Sequence, residues 1–206
     1  MAKVKICGIT NYEDAINAVN LGADYLGFNF YKKSPRCIEK SKANNIIAKL
    51  PKNVKIVGVF VNERIDKIRD AVDFCNLDIV QLSGNENTKF ISELKKILNK
   101  KIKIIKTFRI KNQNGVNGIK KNMADYMMLD AFKKGIYGGT GTKFNWKIAK
   151  HINKKNLFLS GGLNPSNIKT AIKIANPYAV DVCSGVEKSH RKKDFEKMKK
   201  FIESAK

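Results

Sequence analysis

The amino-acid sequence predicts an α/β fold: one parallel (β/α)₈ TIM barrel, a single domain covering residues 1–206. Three observations predict it. Eight short, apolar, β-branched runs recur at even spacing along the chain. Segments with apolar residues at helical spacing lie between most of them, the pattern of βαβ units and a parallel sheet. No GxGxxG follows the first run, so the rival architecture, an open doubly wound sheet, lacks its dinucleotide fingerprint. No linker, low-complexity segment or break in composition divides the chain, and 43% hydrophobic residues suffice for one sizeable core.

Each element can be justified in turn. The first run, VKIC, covers residues 4–7, and Gly8 follows its cysteine at once. Residues 11–23 then put Ala15, Ile16, Ala18 and Val19 on one face, with Gly22 as a C-terminal cap. The second run, YLGFNF (25–30), precedes a helix over 41–51 that Pro51 stops; Ala43, Ile46, Ile47 and Leu50 make its face. The third, VKIVGVFV (54–61), leads to 62–75, where Ile65, Ile68, Ala71, Val72 and Cys75 align. The fourth, DIVQL (78–82), leads to 86–98, with Phe90, Leu94 and Ile97 on one side. After the fifth, IKIIKTF (102–108), the pattern weakens: residues 114–124 hold two glycines and predict only a short or irregular helix. The sixth, YMMLD (126–130), is followed by a glycine-rich stretch and then a helical pattern over 145–152. The seventh, LFLSGG (157–162), and eighth, YAVDV (178–182), precede helices over 164–175 and 193–205. Several runs are continuously apolar, as strands covered on both faces must be.

The net charge of +23 invites a nucleic-acid or membrane reading. The lysines, however, are spread over the whole chain, on faces away from the apolar residues, and are not interleaved with aromatics as a base-stacking surface requires. They predict a solvated surface that draws in a small anionic substrate, with no nucleic-acid partner. The four cysteines, Cys7, Cys37, Cys75 and Cys183, include no CxxC pair, and His151 and His190 stand alone. No metal site and no disulfide framework are expected. The chain enters KVKICG without a signal-peptide core and holds no apolar run long enough for a membrane span. The expectation is a soluble, cytoplasmic protein with no membrane partner.

In such a barrel the site lies at the C-terminal ends of the strands. Read in order, those ends offer Cys7; the basic loop with Lys32, Lys33 and Arg36; Asn62; Gln81 and Ser83; Phe108 and Arg109; Asp130; SGGLNPSN; and DVCSGVE. The last two loops carry Gly161, Gly162, Ser184 and Gly185. Loops after strands seven and eight commonly hold a phosphate in this fold, since glycine lets backbone N–H groups come close to the anion. Simple turn chemistry is the plainer alternative. The stretch 131–142, small residues throughout, suits a mobile lid. Cys7 and Asp130 across one pocket would make a general base and a general acid. A structural buried cysteine remains the ordinary reading of Cys7 taken alone. Cys37, Cys75 and Cys183 read as structural or incidental.

These residues resemble a known family. KICGIT, GADYLGFNFYKKSPR, VGVFVNE, VQLSGNE, GGTGTKFNW, LSGGLNPSNI and AVDVCSGVEKSHRKKD follow one another as in the phosphoribosylanthranilate isomerase family of tryptophan biosynthesis, from Lys5 to Asp194. The resemblance implies a (β/α)₈ barrel and an Amadori rearrangement of N-(5-phosphoribosyl)anthranilate, without metal or redox cofactor. It implies that Asp130 protonates the furanose oxygen and that Cys7 takes the C2′ proton. It further implies that Arg36 holds the anthranilate carboxylate, that Asp181 contacts the ribose, and that Gly161, Gly162, Ser184 and Gly185 fall in the phosphate loops. It implies a monomer in preference to a dimer. Two positions depart from the family motifs: Ser83 stands for a histidine in VQLHG, which could lower affinity or rate, and Cys183 for a serine in DVSSGVE, where little effect is expected. A histidine-pathway isomerase acting on a similar aminoaldose would carry aspartates at the ends of strands one and five, where this chain has Cys7 and Phe108-Arg109. A basic RNA-binding barrel is the reading from another class, and it predicts strongly salt-dependent binding.

Overall fold

The structure, a computed structural model, describes residues 1–110, 123–131, 145–152 and 154–206. Most of the weak helical pattern over 114–124 and of the lid stretch 131–142 lies outside the described residues.

Eight parallel strands close into a barrel: β1 Lys3–Cys7, β2 Tyr25–Asn29, β3 Lys55–Phe60, β4 Ile79–Leu82, β5 Lys103–Ile110, β6 Tyr126–Ala131, β7 Leu157–Leu159 and β8 Ala179–Val182. Closure is made by β8 pairing with β1, with Lys5 opposite Asp181 and Ile6 opposite Val182. Each of the eight falls on a run predicted from sequence. Among the described residues six α-helices surround the barrel: α1 Tyr12–Asn20, α2 Lys40–Ile47, α3 Ile65–Cys75, α4 Thr88–Ile97, α5 Ile168–Ala175 and α6 Phe195–Ala205. Their ends follow local chemistry. The side chains of Asn11, Asn87 and Asp194 accept the backbone N–H of Asp14, Phe90 and Lys197, each at 2.9 Å. Asn76 and Asn176 end α3 and α5 in the left-handed region.

Two local features differ from expectation. Residues Trp146–His151 form a 3₁₀ helix, the tighter form that suits so short a connection before β7. A small antiparallel hairpin, β9 Glu187–Ser189 and β10 Lys192–Lys193, intervenes between β8 and α6. Its sequence, EKSHRKK, has no apolar alternation to announce it. It is tied instead to the start of α1: Lys193 N–H donates to Asp14 Oδ2 at 2.8 Å, and the Thr10 hydroxyl donates to the Arg191 carbonyl at 2.8 Å.

Alternation along the strands makes two cores. Residues such as Val4, Ile6, Leu26, Phe28, Val80, Val180 and Val182 face outward under the helices. Facing inward, Tyr25, Val57, Ile79, Ile105, Met128, Phe158 and Ala179 plug the barrel. Phe158 meets Tyr25 and Tyr126 edge-on with ring centroids 5.4 Å apart, and the Tyr25 and Tyr178 hydroxyls lie 3.0 Å apart.

Above the plug the interior becomes polar. Lys5 is fully buried, and its Nζ donates to Asp181 Oδ1 at 2.6 Å. Burial alone would push the Lys5 ammonium down, but Asp181, with Cys7, overrides it and holds it above the ordinary lysine value. The inward position beside them must be Gly27: a Cβ there would come within 2.8 Å of Cys7 Sγ and 3.0 Å of Lys5 Nζ.

This pairing gives a first prediction. Lys5→Met leaves the Asp181 carboxylate buried without its partner and should cost about 3–5 kcal/mol in urea unfolding. Adding Asp181→Asn should recover most of that loss. An additive double variant would mean that the two groups do not depend on one another.

Candidate active site

The strand ends build a cleft at the C-terminal rim. All eight residues singled out from sequence line it: Cys7, Arg36, Asp130, Gly161, Gly162, Asp181, Ser184 and Gly185. Gln81 and Ser83 line it as well. Other strand-end candidates lie elsewhere. Lys32 and Lys33 are exposed, Asn62 lines a separate surface groove with Glu86, and Arg109 Nη2 donates to Asn85 Oδ1 at 3.0 Å.

Asp130 is nine-tenths buried. Its Oδ1 accepts the Ala131 N–H at 2.8 Å and lies 3.4 Å from Ser160 Oγ. Burial, reinforced by the negative charge of Asp181, pushes its carboxyl up to about 6. Ser160 Oγ also lies 3.2 Å from Asp181 Oδ2, so one hydroxyl bridges the two carboxyl groups.

Cys7 ends β1 and points into the same space, beside Lys5. Cys183 lines the cleft beside it. The neighbouring Cys183 thiol, with burial, pushes the Cys7 thiol up, and Lys5 offsets only part of the rise. Cys7, together with the positive charges of Lys193 and Arg36, holds Cys183 below the ordinary thiol value, although its Sγ also lies 3.9 Å from Glu187 Oε1.

Arg36 reaches in from the loop after β2 and is held by Glu187: Nε to Oε1 at 2.8 Å and Nη2 to Oε2 at 2.6 Å. This paired geometry raises the guanidinium further above its ordinary value. Burial would raise Glu187, yet Arg36 and Lys193 together hold it low. The Arg36 stem and Cys183 both pack on Gly8: a Cβ there would meet Cys183 Sγ at 2.9 Å and Arg36 Cδ at 3.1 Å, and the backbone is left-handed at φ 75°.

The loops after β7 and β8 touch. Gly161 and Gly162 have φ of 87° and 67°. Asn167 Nδ2 donates to the Gly162 carbonyl at 2.9 Å and pins the first loop. A Cβ on Gly185 would fall 1.9 Å from the Leu163 carbonyl oxygen, so only glycine permits the contact. A one-turn 3₁₀ helix, Ser184–Val186, begins there. Ser83 is tied by bonds of 3.1 Å to Gln81 Nε2 and Thr107 Oγ1, while Gln81 Oε1 is buried with no partner.

Three residues of this arrangement were not singled out from sequence: Lys5, Ser160 and Glu187. Lys5 had a signal, a lysine inside an apolar strand two positions before Cys7 and hence on the same face. Ser160 and Glu187 were inside quoted loops, but their partners lie far away in sequence. Of the cysteines set aside as structural, Cys75 fits: its Sγ contacts the Lys40 carbonyl at 3.5 Å. Cys183 does not fit, since its thiol lies in the cleft against Cys7.

A closed parallel barrel with a polar cleft at its C-terminal rim and touching glycine loops after its last two strands defines the class of (β/α)₈ barrels whose site is built from the strand ends. Comparison with known proteins narrows this. The model of the N-(5'phosphoribosyl)anthranilate (PRA) isomerase family matches residues 4–204, and the chain belongs to that family. N-(5'-phosphoribosyl)anthranilate isomerase of Geotalea daltonii is 45% identical, covering 100% of this chain and 97% of its own. A crystal structure of monomers generated from the dimeric phosphoribosylanthranilate isomerase of Thermotoga maritima superimposes with a TM-score of 0.87 at 39% identity, covering 100% of this chain and 98% of the other. A phosphoribosyl anthranilate isomerase in complex with reduced 1-(o-carboxyphenylamino)-1-deoxyribulose 5-phosphate superimposes with a TM-score of 0.85 at 38% identity, with the same coverage.

The environment of Asp130 has a consequence for stability. Its folded value of about 6 lies above the ordinary 3.8, so the folded state binds this proton more tightly than the unfolded chain does. That contribution is fully present below 3.8 and is lost as pH rises through 6. Asp130→Asn should therefore raise stability at pH values near 7.5, by on the order of 1–3 kcal/mol, and change little near pH 4. Thermal melts at the two pH values test this; equal shifts at both would remove the charge-burial explanation.

Proposed function

We propose that this chain converts N-(5-phosphoribosyl)anthranilate to 1-(2-carboxyphenylamino)-1-deoxyribulose 5-phosphate, the aldose–ketose isomerisation of tryptophan biosynthesis. The observation that carries the reading is the meeting of Cys7 and Asp130 in one buried cleft beside the glycine loops after β7 and β8, in a chain of the isomerase family.

The chemistry divides between the two groups. Asp130, with its carboxyl raised to about 6, keeps a useful fraction of its proton near neutrality and donates it to the furanose oxygen. The ring opens to a Schiff base. Cys7 then removes the C2′ proton, and the resulting enolamine tautomerises to the ketone. Because its partner and burial hold Cys7 as a thiol in the free protein, the thiolate arises when substrate is bound. Lys5, held on Asp181 beside it, favours that anion. The nitrogen lone pair drives cleavage of the C1′–O4′ bond as the ring oxygen takes the proton, and the later steps shift protons between C2′, C1′ and oxygen.

Binding follows the same geometry. Glu187 occupies the Nε–Nη2 edge of Arg36, so the anthranilate carboxylate uses the Nη1–Nη2 edge. Gly161, Gly162, Ser184 and Gly185 surround the phosphate. Asp181 accepts a ribose hydroxyl through a lone pair left over from Lys5 and Ser160. A biosynthetic role supports a cytoplasmic location, and among the described residues no helix is long and apolar enough to cross a membrane.

The test follows anthranilate fluorescence with substrate generated in situ. Cys7→Ala and Asp130→Asn should each lose about 10²–10⁴-fold in rate. The kcat/KM profile of the unmodified enzyme should fall on the alkaline side as Asp130 gives up its proton, with that limb starting near 6. Gly185→Ala should raise KM more than it lowers kcat, by about tenfold or more, because the Leu163 loop must move off the phosphate site. Full activity in either Cys7→Ala or Asp130→Asn would remove that residue from its role, and an inactive, folded wild-type chain would remove the function.

A further inference from the structure

Cys183 lines the same cleft as Cys7, the thiol proposed as the base. The pairing of the strands explains why. In the closing register of the barrel, Lys5 lies opposite Asp181 and Ile6 opposite Val182. Cys7 ends β1, and Cys183 follows β8 directly, one position past the last paired residues. Lys5 and Asp181 both face inward and bond each other, so two residues on Cys7 and Cys183 face inward too. Neighbouring strands run about 4.8 Å apart, inside the Cα span of about 4.4–6.8 Å that a disulfide bridges. Gly8 leaves room for the approach, since even a Cβ there would crowd Cys183 Sγ at 2.9 Å. Both residues line the cleft; Cys7 is buried and Cys183 is partly exposed, so a small oxidant meets Cys183 first.

We propose that Cys7 and Cys183 form a reversible intramolecular disulfide under peroxide, which withdraws Cys7 from the cleft chemistry and protects it from irreversible oxidation. The environment favours Cys183 as the sulfur that reacts first. Lys193 Nζ lies 3.8 Å from its Sγ and 3.1 Å from its carbonyl, and Arg36 packs beside it on Gly8. The Cys183 thiolate attacks one peroxide oxygen. The O–O bond breaks, hydroxide leaves, and Cys183 becomes a sulfenic acid. The Cys7 sulfur then attacks the sulfenic sulfur. Its S–H proton and the displaced hydroxide leave as water, and the S–S bond forms. Two electrons from the sulfur pair have reduced one peroxide to two waters. A dithiol reverses the bond by exchange. Cys37 and Cys75 take no part: neither lines the cleft, and Cys75 is turned to the Lys40 carbonyl.

The linkage itself is independent of the proposed function; only its effect on rate rests on Cys7 acting as base. The experiment treats the intact protein with hydrogen peroxide and reads mass, peptide linkage and rate together, each variant being compared with its own untreated sample. The expected result is a mass lower by about 2 Da, one peptide pair joining Cys7 to Cys183, at least about a tenfold loss of rate, and recovery with dithiothreitol. The Cys37→Ser/Cys75→Ser double variant should behave the same way. Cys183→Ser should show no linkage and should instead gain oxygen mass at Cys7 that dithiothreitol does not remove. Absence of the Cys7–Cys183 peptide from treated wild type, or a linkage that engages Cys37 or Cys75 instead, overturns the disulfide. A linkage that forms while the rate persists overturns the switch through the role of Cys7, and Cys7→Ala would then be active as well.

Discussion

A lysine sealed inside a barrel needs an anion within reach, and here that anion sits on the strand that closes the ring. Lys5 on β1 meets Asp181 on β8, so the strand pairing that closes the barrel carries a buried charge pair. The pair also marks a boundary in the barrel interior. Below it, Tyr25, Phe158 and their neighbours fill the space with apolar surface. Above it, the inward positions become Cys7, Asp130, Ser160 and Gln81. The polar floor makes the upper half of the barrel a cleft instead of a second layer of plug. It also forces glycine at position 27, where any side chain would displace Lys5 or Cys7.

The same pair separates two carboxyl groups that would otherwise be alike. Asp181 and Asp130 share the hydroxyl of Ser160. Asp181 has the lysine. Asp130 has burial and a neighbouring negative charge, and it is the one driven upward. The thiols divide in a similar way: Lys193 and Arg36 lie on the Cys183 side, and Cys7 is the one pushed upward.

The strands could be read from sequence because a parallel barrel buries both faces of each one and so writes continuous apolar runs such as VKIVGVFV. Once the strands were in place, Cys7, Arg36 and Asp130 could be read as well, since strand ends converge on one rim. What escaped was set by contacts between distant residues. Lys5 and Asp181 are 176 positions apart, and Arg36 and Glu187 are 151 apart; no local pattern couples them. The hairpin of β9 and β10 escaped for a related reason. It is stabilised by Asp14 and Thr10 of the first βα unit rather than by any periodicity of its own.

The clamp on Arg36 has a thermodynamic side. Its guanidinium is gripped by Glu187, Glu187 by Lys193, and the Lys193 backbone by Asp14. An exposed arginine must surrender rotamer freedom when it meets an anion, at a cost of about 0.5–1.5 kcal/mol for each side chain immobilised. Here the side chain is already ordered by folding, so a carboxylate arriving at its second edge meets a fixed fork. Selectivity at that point becomes a matter of ligand shape: a planar anion set at the right distance fits the fork, and a floppier one bears the ordering cost alone.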